Sequence, residues 1–191
     1  MNKTRLEAFS DGVIAILITI MVLELKPPLE LNHDALVNLR HALPAYVLSF
    51  VLLAIYWNNH HHMLHCCTHV NGRILWANSH LLFWLSLVPF ATAWISDELT
   101  PWSAAVYGFV AFMAGIAWLL LQRAIVHADG EQSQLQRAIG DDWKGKLSGV
   151  GYAAAVGLAF IEPLASIAIY VGIAIIWLVP DRRITRQLEH E

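Results

Sequence analysis

Charge is what this sequence has least of. Only 14% of its 191 residues are Asp, Glu, Lys or Arg, where a soluble domain carries about 25%. Hydrophobic residues make up 57% of the chain, more apolar surface than a globule of this size can hide in its interior. A soluble domain, a disordered chain and a collagen-like repeat are excluded together. No excess of basic residues is present either. The formal charge of −3 offers no field for phosphate, so no nucleic-acid partner is expected. Cysteine is scarce: Cys66 and Cys67 are adjacent, cannot staple distant parts of the chain and imply no disulfide framework. What remains is an integral membrane protein, with apolar stretches long enough for helices rather than barrel strands. Lys3 and Arg5 followed by an apolar stretch mimic a signal peptide. However, Asp11 interrupts its start and no small-residue cleavage site follows Leu25, so a retained membrane helix is expected.

The expected fold is all-α and polytopic, a single transmembrane domain over 1–191 with six transmembrane helices per subunit. Punctuation by proline and polar residues sets their approximate bounds at 4–25, 44–62, 73–95, 102–123, 143–161 and 164–179. Pro27-Pro28 stops the first, Pro44 opens the second and Pro180 stops the last. Residues 127–142 form the one long polar stretch, a cytoplasmic connector with room for one amphipathic turn. Each apolar core of the last two helices is near 16 residues, about 24 Å of helix against a hydrocarbon layer of about 30 Å. One long helix kinked at Glu162-Pro163 is therefore the alternative. The basic residues decide between them. With six spans, ten of the twelve fall on one side: Lys3, Arg5, Arg73, Arg123, Arg137, Lys144, Lys146, Arg182, Arg183 and Arg186. Lys26 and Arg40 remain on the other. That bias puts both termini in the cytoplasm, whereas fusing the last two helices would send the C-terminal arginines outside. The outer side is net acidic, with Glu24, Glu30, Asp34, Asp97, Glu98 and Glu162. Trp57, Trp76, Trp94, Trp102, Trp143 and Trp177 fall near helix ends, as interfacial belts require, while Trp84 and Trp118 fall deeper.

The first helix carries the unusual residues. Arg5, Glu7, Ser10 and Asp11 fill its cytoplasmic third, and a carboxylate at that depth is costly unless paired or wet. The second helix ends and the third begins at the same depth. Topology alone therefore brings Asp11, His60, His61, Asn78 and His80 into one layer, either a polar network that fixes the first helix or a proton-sensing group. Above Asp11 the helix is apolar with one hydroxyl. Ile16, Thr19, Ile20 and Leu23 share a face, about 140° around the wheel from Asp11. If Asp11 points into its own bundle, the stripe is free to face another subunit or a central axis. A ring of Ile16, Ile20 and Leu23 about such an axis would form a hydrophobic constriction able to gate by dewetting. Thr19 would add a ring of hydroxyls at mid-depth, and Glu24 at the outer mouth would concentrate cations.

The spacing Arg-x-x-x-Phe-Ser-Asp-Gly-x-x-Ala-Ile, here Arg5, Phe9-Ser10-Asp11-Gly12, Ala15 and Ile16, resembles the signature of the TMEM175 family of potassium-permeable channels. The second helix adds Tyr46, Ser49-Phe50, Tyr56-Trp57 and His60-His61, and the third adds Asn78 and Pro89-Phe90. The resemblance implies six helices per repeat and a pore lined by the first helices at the oligomer axis. It also implies a homotetramer of single-repeat subunits in a bacterial plasma (inner) membrane, with K+ as permeant ion and no cofactor. The family's innermost constriction matches Ile16, with further layers at Thr19 or Ile20 and then Leu23. Arg5, Phe9, Ser10, Asp11, Trp57, Asn78 and the histidines His60 and His61 match the residues that hold the pore helix. Three consecutive histidines leave open which one is structural.

Other classes compete. A proton channel or a secondary transporter could use Asp11 and the second-helix histidines, with Pro89 breaking the third helix. A metal or haem membrane enzyme would draw on His60, His61, His62, His65, Cys66, Cys67 and His69. These residues straddle a helix end and a loop and include no carboxylate, so the expected reading is a channel without a metal site and not an enzyme.

Overall fold

The structure, a computed structural model, describes residues 2–25, 33–130, 133–139 and 142–178. Among the described residues all regular structure is helical, in eight segments. The expected Pro27-Pro28 stop, Lys26 and Glu30, and the tail with Pro180, Arg182, Arg183 and Arg186, lie outside them.

The first helix, α1 (Lys3–Leu23), starts at Asn2, whose side chain accepts the Arg5 N–H. Leu6, Ser10, Ile14, Leu17 and Met21 are its buried residues, one stripe of a 3.6-residue helix. It stops two residues before the expected Leu25. The N–H groups of Glu24 and Leu25 turn back onto the Met21 and Val22 carbonyls, the tighter geometry that commonly closes a last turn. The second helix, α2 (His33–His65), begins well before Pro44, which lies inside it. Proline cannot donate to the carbonyl of Arg40, but one lost bond within a long helix does not end it. The apolar part starts at Ala42 and runs to His65, so the proline marks the entry into the apolar span rather than the helix start.

The expected third helix is one apolar span, Gly72–Asp97, made of α3 (Gly72–Ser86) and α4 (Val88–Asp97). Pro89 has no N–H for the Leu85 carbonyl, and the ladder breaks at Leu87. The next helix, α5 (Pro101–Asp129), is longer than expected. Thr100 and Ser103 form a reciprocal capping box, with Pro101 in the first turn. At the other end Gly130 takes φ +71°, a conformation that glycine adopts without steric cost. Within residues 127–142 the short α6 (Gln134–Ile139) follows, with Leu135 buried.

The last two helices, α7 (Trp143–Leu158) and α8 (Pro163–Leu178), fold against each other. Ser166 Oγ donates to the Ala155 carbonyl at 2.8 Å, Trp177 Nε1 donates to Ser148 Oγ at 2.8 Å, and the Tyr152 and Tyr170 rings stack at 5.7 Å. Those three pairs set an antiparallel register, so the Glu162-Pro163 corner closes a hairpin and not a kinked continuous helix.

Of these helices, α1, the Ala42–His65 part of α2, the α3–α4 pair and α5 are long and apolar enough to cross a membrane. The shorter α8 is equally apolar. Central to the packing is α5, which meets α3, α4, α7 and α8, while α1 packs on α2, α3 and α4. Its buried face is rich in small residues, including Ala104, Ala111, Ala114 and Ala117, which let backbones approach closely where lipid removes most of the hydrophobic driving force. Trp57, Trp76, Trp94, Trp102 and Trp143 are exposed, whereas Trp84 and Trp118 are half-buried.

Gly108 on α5 makes the close approach explicit. A Cβ there would sit 1.9 Å from the Tyr170 hydroxyl oxygen, which donates to the Ala104 carbonyl at 3.1 Å. We expect Gly108→Ala to force α8 outward and to destabilise the protein by about 1–3 kcal/mol, read as a lower melting temperature in detergent; an unchanged midpoint would contradict this packing.

Candidate functional site

The polar residues of α1 divide between two sets of partners. Ser10 is fully buried, and its hydroxyl donates to the Leu6 carbonyl at 2.9 Å. Its oxygen accepts from Asn78 Nδ2 on α3 at 3.0 Å, and Asn78 Oδ1 accepts from His60 Nε2 on α2 at 2.7 Å. Three helices are thus tied by one directed chain: imidazole to amide, amide to hydroxyl, hydroxyl to backbone. Asn78 and His60 are both buried, and buried polar groups are tolerated only when paired in this way. Asp11 is half-buried and lies outside this chain. Its carboxylate accepts from the Trp57 indole N–H at 3.0 Å, so its α2 partner is an indole rather than an imidazole.

Of the three consecutive histidines, His60 is the one inside. His61 is exposed and packs edge-on against His62 at 5.7 Å. His80, expected in the same layer, instead accepts from the Trp84 indole at 2.9 Å on its own helix. Arg5 is exposed at the start of α1. Phe9 is 57% exposed and belongs to a different face from the network. It lies seven residues before Ile16, almost two full turns, so the two side chains share a side of the helix.

That side is the one the bundle leaves uncovered. Ile16 is 56% exposed and Leu23 76%, and Thr19 and Ile20 are exposed between them. Thr19 Oγ1 donates to the Ile16 carbonyl at 2.9 Å. With its proton spent on the backbone, the hydroxyl presents oxygen lone pairs away from the helix. Glu24 is exposed as the residue that caps α1.

Sequence reasoning missed a second polar layer. Thr92 on α4 donates to the Val88 carbonyl and lies 2.7 Å from Ser49 Oγ on α2, which in turn is 3.1 Å from the Tyr107 hydroxyl on α5. Thr92 Oγ1 also lies 3.9 Å from Met21 Sδ on α1. Isolated hydroxyls on apolar helix faces were the available signal. Also missed were Lys3 Nζ donating to the His65 carbonyl at 2.8 Å and Thr68 bonding to Asp129. Both tie the α2–α3 loop down. Cys67 is buried in that loop and donates to the His69 carbonyl at 3.3 Å; burial first, and the nearby Asp129 carboxylate second, push its thiol up. Among the described residues no three His, Cys, Asp or Glu side chains converge as metal ligands.

Comparison with known proteins gives these features a setting. The family described as "Endosomal/lysosomal potassium channel TMEM175" matches residues 5–89. A potassium channel of Chryseobacterium sp. (strain P1-3) is 46% identical over 190 residues, covering 99% of each chain. A potassium channel of Streptomyces collinus is 32% identical over 185 residues, covering 88% of each. In structure, the chain is similar to a lysosomal potassium-selective channel TMEM175 homolog from Chamaesiphon minutus. The TM-score is 0.80 at 28% identity, over 93% of this chain and 96% of that one.

Removing the Asn78 amide leaves Ser10 and His60 buried without their shared partner. We expect Asn78→Ala to destabilise the protein by about 1–3 kcal/mol, measured by thermal unfolding in detergent. A variant as stable as the parent would show that the three-helix chain holds nothing in place.

Proposed function

The chain belongs to the TMEM175 family, a family of potassium channels rather than enzymes, and from that premise we propose that K+ moves passively along the uncovered face of α1. Four subunits surround one axis, each turning Ile16, Thr19, Ile20 and Leu23 inward. The single observation that carries this reading is the division of α1: one stripe, Leu6 to Met21, is buried in its own bundle, and the other stripe, from Ile16 to Leu23, is left exposed by the described residues of the subunit.

Each residue then has a physical task. Ile16 and Ile20 narrow the passage with aliphatic side chains, and a narrow apolar ring resists wetting, which closes the path to ions without a moving plug. The Thr19 oxygens, with lone pairs turned outward, replace part of the ion's hydration shell. Leu23 widens the apolar collar toward the outer mouth, where Glu24 raises the local cation concentration. The anchor through Ser10, Asn78 and His60, with Asp11 on Trp57, fixes the rotation of α1 so that the stripe faces the axis. The subunit has six membrane spans, α3 with α4 counting as one and the α7–α8 hairpin as two. The basic residues favour cytoplasmic termini in a bacterial plasma membrane.

Planar-bilayer recording tests the assignment. Thr19→Val should lower the K+ over Na+ preference, and each tenfold loss moves the biionic reversal potential by about 59 mV. Ile16→Ala should raise the resting current. Unchanged reversal potentials in the first variant and unchanged currents in the second would remove α1 from the conduction path.

A further inference from the structure

A cavity of about 420 Å³ lies away from α1, between α2, α5, α7 and α8. Its volume falls within the range of about 300–1,000 Å³ typical of ligand cavities. Leu52, Phe112, Leu119 and Ile173 give it an apolar wall. Several polar groups on that wall are spent on the protein itself. The Trp177 indole donates to Ser148, Ser148 donates to the Lys144 carbonyl at 2.8 Å, and the Asn59 amide donates to the Ile55 carbonyl at 2.8 Å. The charges at the end where α7 begins are spent too. Lys146 is already engaged, and the Asp142 carboxylate accepts from the N–H of the lining Gly145 at 3.0 Å. With one charge of each sign there, the cavity favours neither an anion nor a cation.

Two hydroxyls on the wall are left over. Tyr56 on α2 and Tyr152 on α7 both line the cavity. Tyr56 packs edge-on against Trp118 at 5.9 Å, and Tyr152 stacks on Tyr170. Neither hydroxyl is hydrogen-bonded among the described residues, and neither is sealed from open space: the one buried side-chain oxygen there without a partner is on Asp129. Tyr152 is only 7% exposed, so the open space its hydroxyl reaches is the cavity it lines. A Cβ at Gly115, also on the wall, would stand 4.0 Å from the Tyr56 hydroxyl oxygen, which places that oxygen at the same void. The two phenol groups are near enough to interact electrostatically. Unpaired hydroxyls in apolar surroundings are costly, and a buried tyrosine normally finds a partner. One bridging water would satisfy both but would leave the rest of the void without dispersion contacts.

We propose that this cavity binds one uncharged, lipid-soluble carbonyl compound, its oxygen accepting from both Tyr56 and Tyr152 and its hydrocarbon body filling the apolar remainder. A carbonyl oxygen has two lone pairs and brings no proton that needs an acceptor of its own. A phospholipid does not meet these demands. Tyr152 lies six residues past Lys146, about 9 Å farther along α7, so an ester carbonyl at that depth would drag its phosphate against the apolar wall. The inference rests on the membrane setting of these helices, which supplies lipid-soluble molecules, and not on where the pore runs.

Photolabelling of the purified full-length protein with a diazirine-bearing long-chain methyl ketone, mapped by peptide mass spectrometry, tests this without any flux measurement. Label should fall on the segments around Tyr56, Phe112 and Tyr152. The unlabelled ketone should displace it at lower concentration than the alkane of equal length. In Tyr56→Phe and in Tyr152→Phe, which keep the rings and lose only the hydroxyl, that advantage should fall by about fivefold. A second readout is infrared absorption: the carbonyl stretch of the bound ketone should lie below its frequency in empty detergent micelles and rise in each variant. Label spread over lipid-facing segments, equal displacement by ketone and alkane, or an advantage and a stretch unchanged in both variants would each overturn the proposal. Stronger displacement by the carboxylate of equal length would overturn it in favour of a charged ligand, and stronger displacement by phosphatidylcholine in favour of a phospholipid chain. None of these outcomes bears on conduction along α1.

Discussion

The orientation of α1 about its own axis depends on one buried chain of hydrogen bonds, from the His60 imidazole through the Asn78 amide to the Ser10 hydroxyl and the Leu6 carbonyl. A hydrophobic helix in lipid has no strong preference for which apolar face turns inward, because lipid tails are as apolar as leucine. A buried hydroxyl held by the Asn78 amide of a neighbouring helix supplies that preference. Once Ser10 is held, Ile14, Leu17 and Met21 follow it inward by helical periodicity, and Phe9, Ile16, Thr19, Ile20 and Leu23 are left on the other side. The exposed face is thus the remainder of a structural decision made elsewhere on the same helix.

The second hydroxyl layer, at Ser49, Thr92 and Tyr107, is tied to the same helix at Met21. Met21 is eleven residues beyond Ser10, about 16 Å along the axis. Two polar layers at different depths oppose tilt as well as rotation. The break at Leu87 between α3 and α4 lies between Asn78 and Thr92, the residues that carry the two layers on that span.

Much of this was legible in the sequence, and the reasons differ from residue to residue. The all-helical membrane architecture follows from hydrophobic run lengths and proline positions. Antiparallel packing of the last two helices was anticipated from the distribution of arginine and lysine, which is independent of local propensity. The layer that holds His60 and Asn78 was visible because topology alone brings the ends of three helices to one depth, while Ser10 entered through the family signature. The layer's membership was less so. Depth does not fix azimuth, so topology placed Asp11 among histidines where the structure gives it Trp57, and placed His61 and His80 in a layer whose hydrogen bonds they do not join. The start of α2 was misread because Pro44 is equally compatible with a first turn and with a helix interior that tolerates one missing bond. The Ser49–Thr92–Tyr107 layer was hidden because single hydroxyls on apolar faces carry no spacing signature.

The central claim is that the uncovered stripe of α1 borders a water-filled path shared by the subunits. It is tested most directly by aqueous accessibility during conduction. Ile20→Cys and Leu23→Cys, placed singly against a background whose own Cys66 and Cys67 are buried, would be exposed to a charged, membrane-impermeant thiol reagent while K+ current is recorded. The account predicts that the reagent reduces current in both variants and leaves the parent untouched. Undiminished current through either variant, with the thiol later found unmodified, would contradict it.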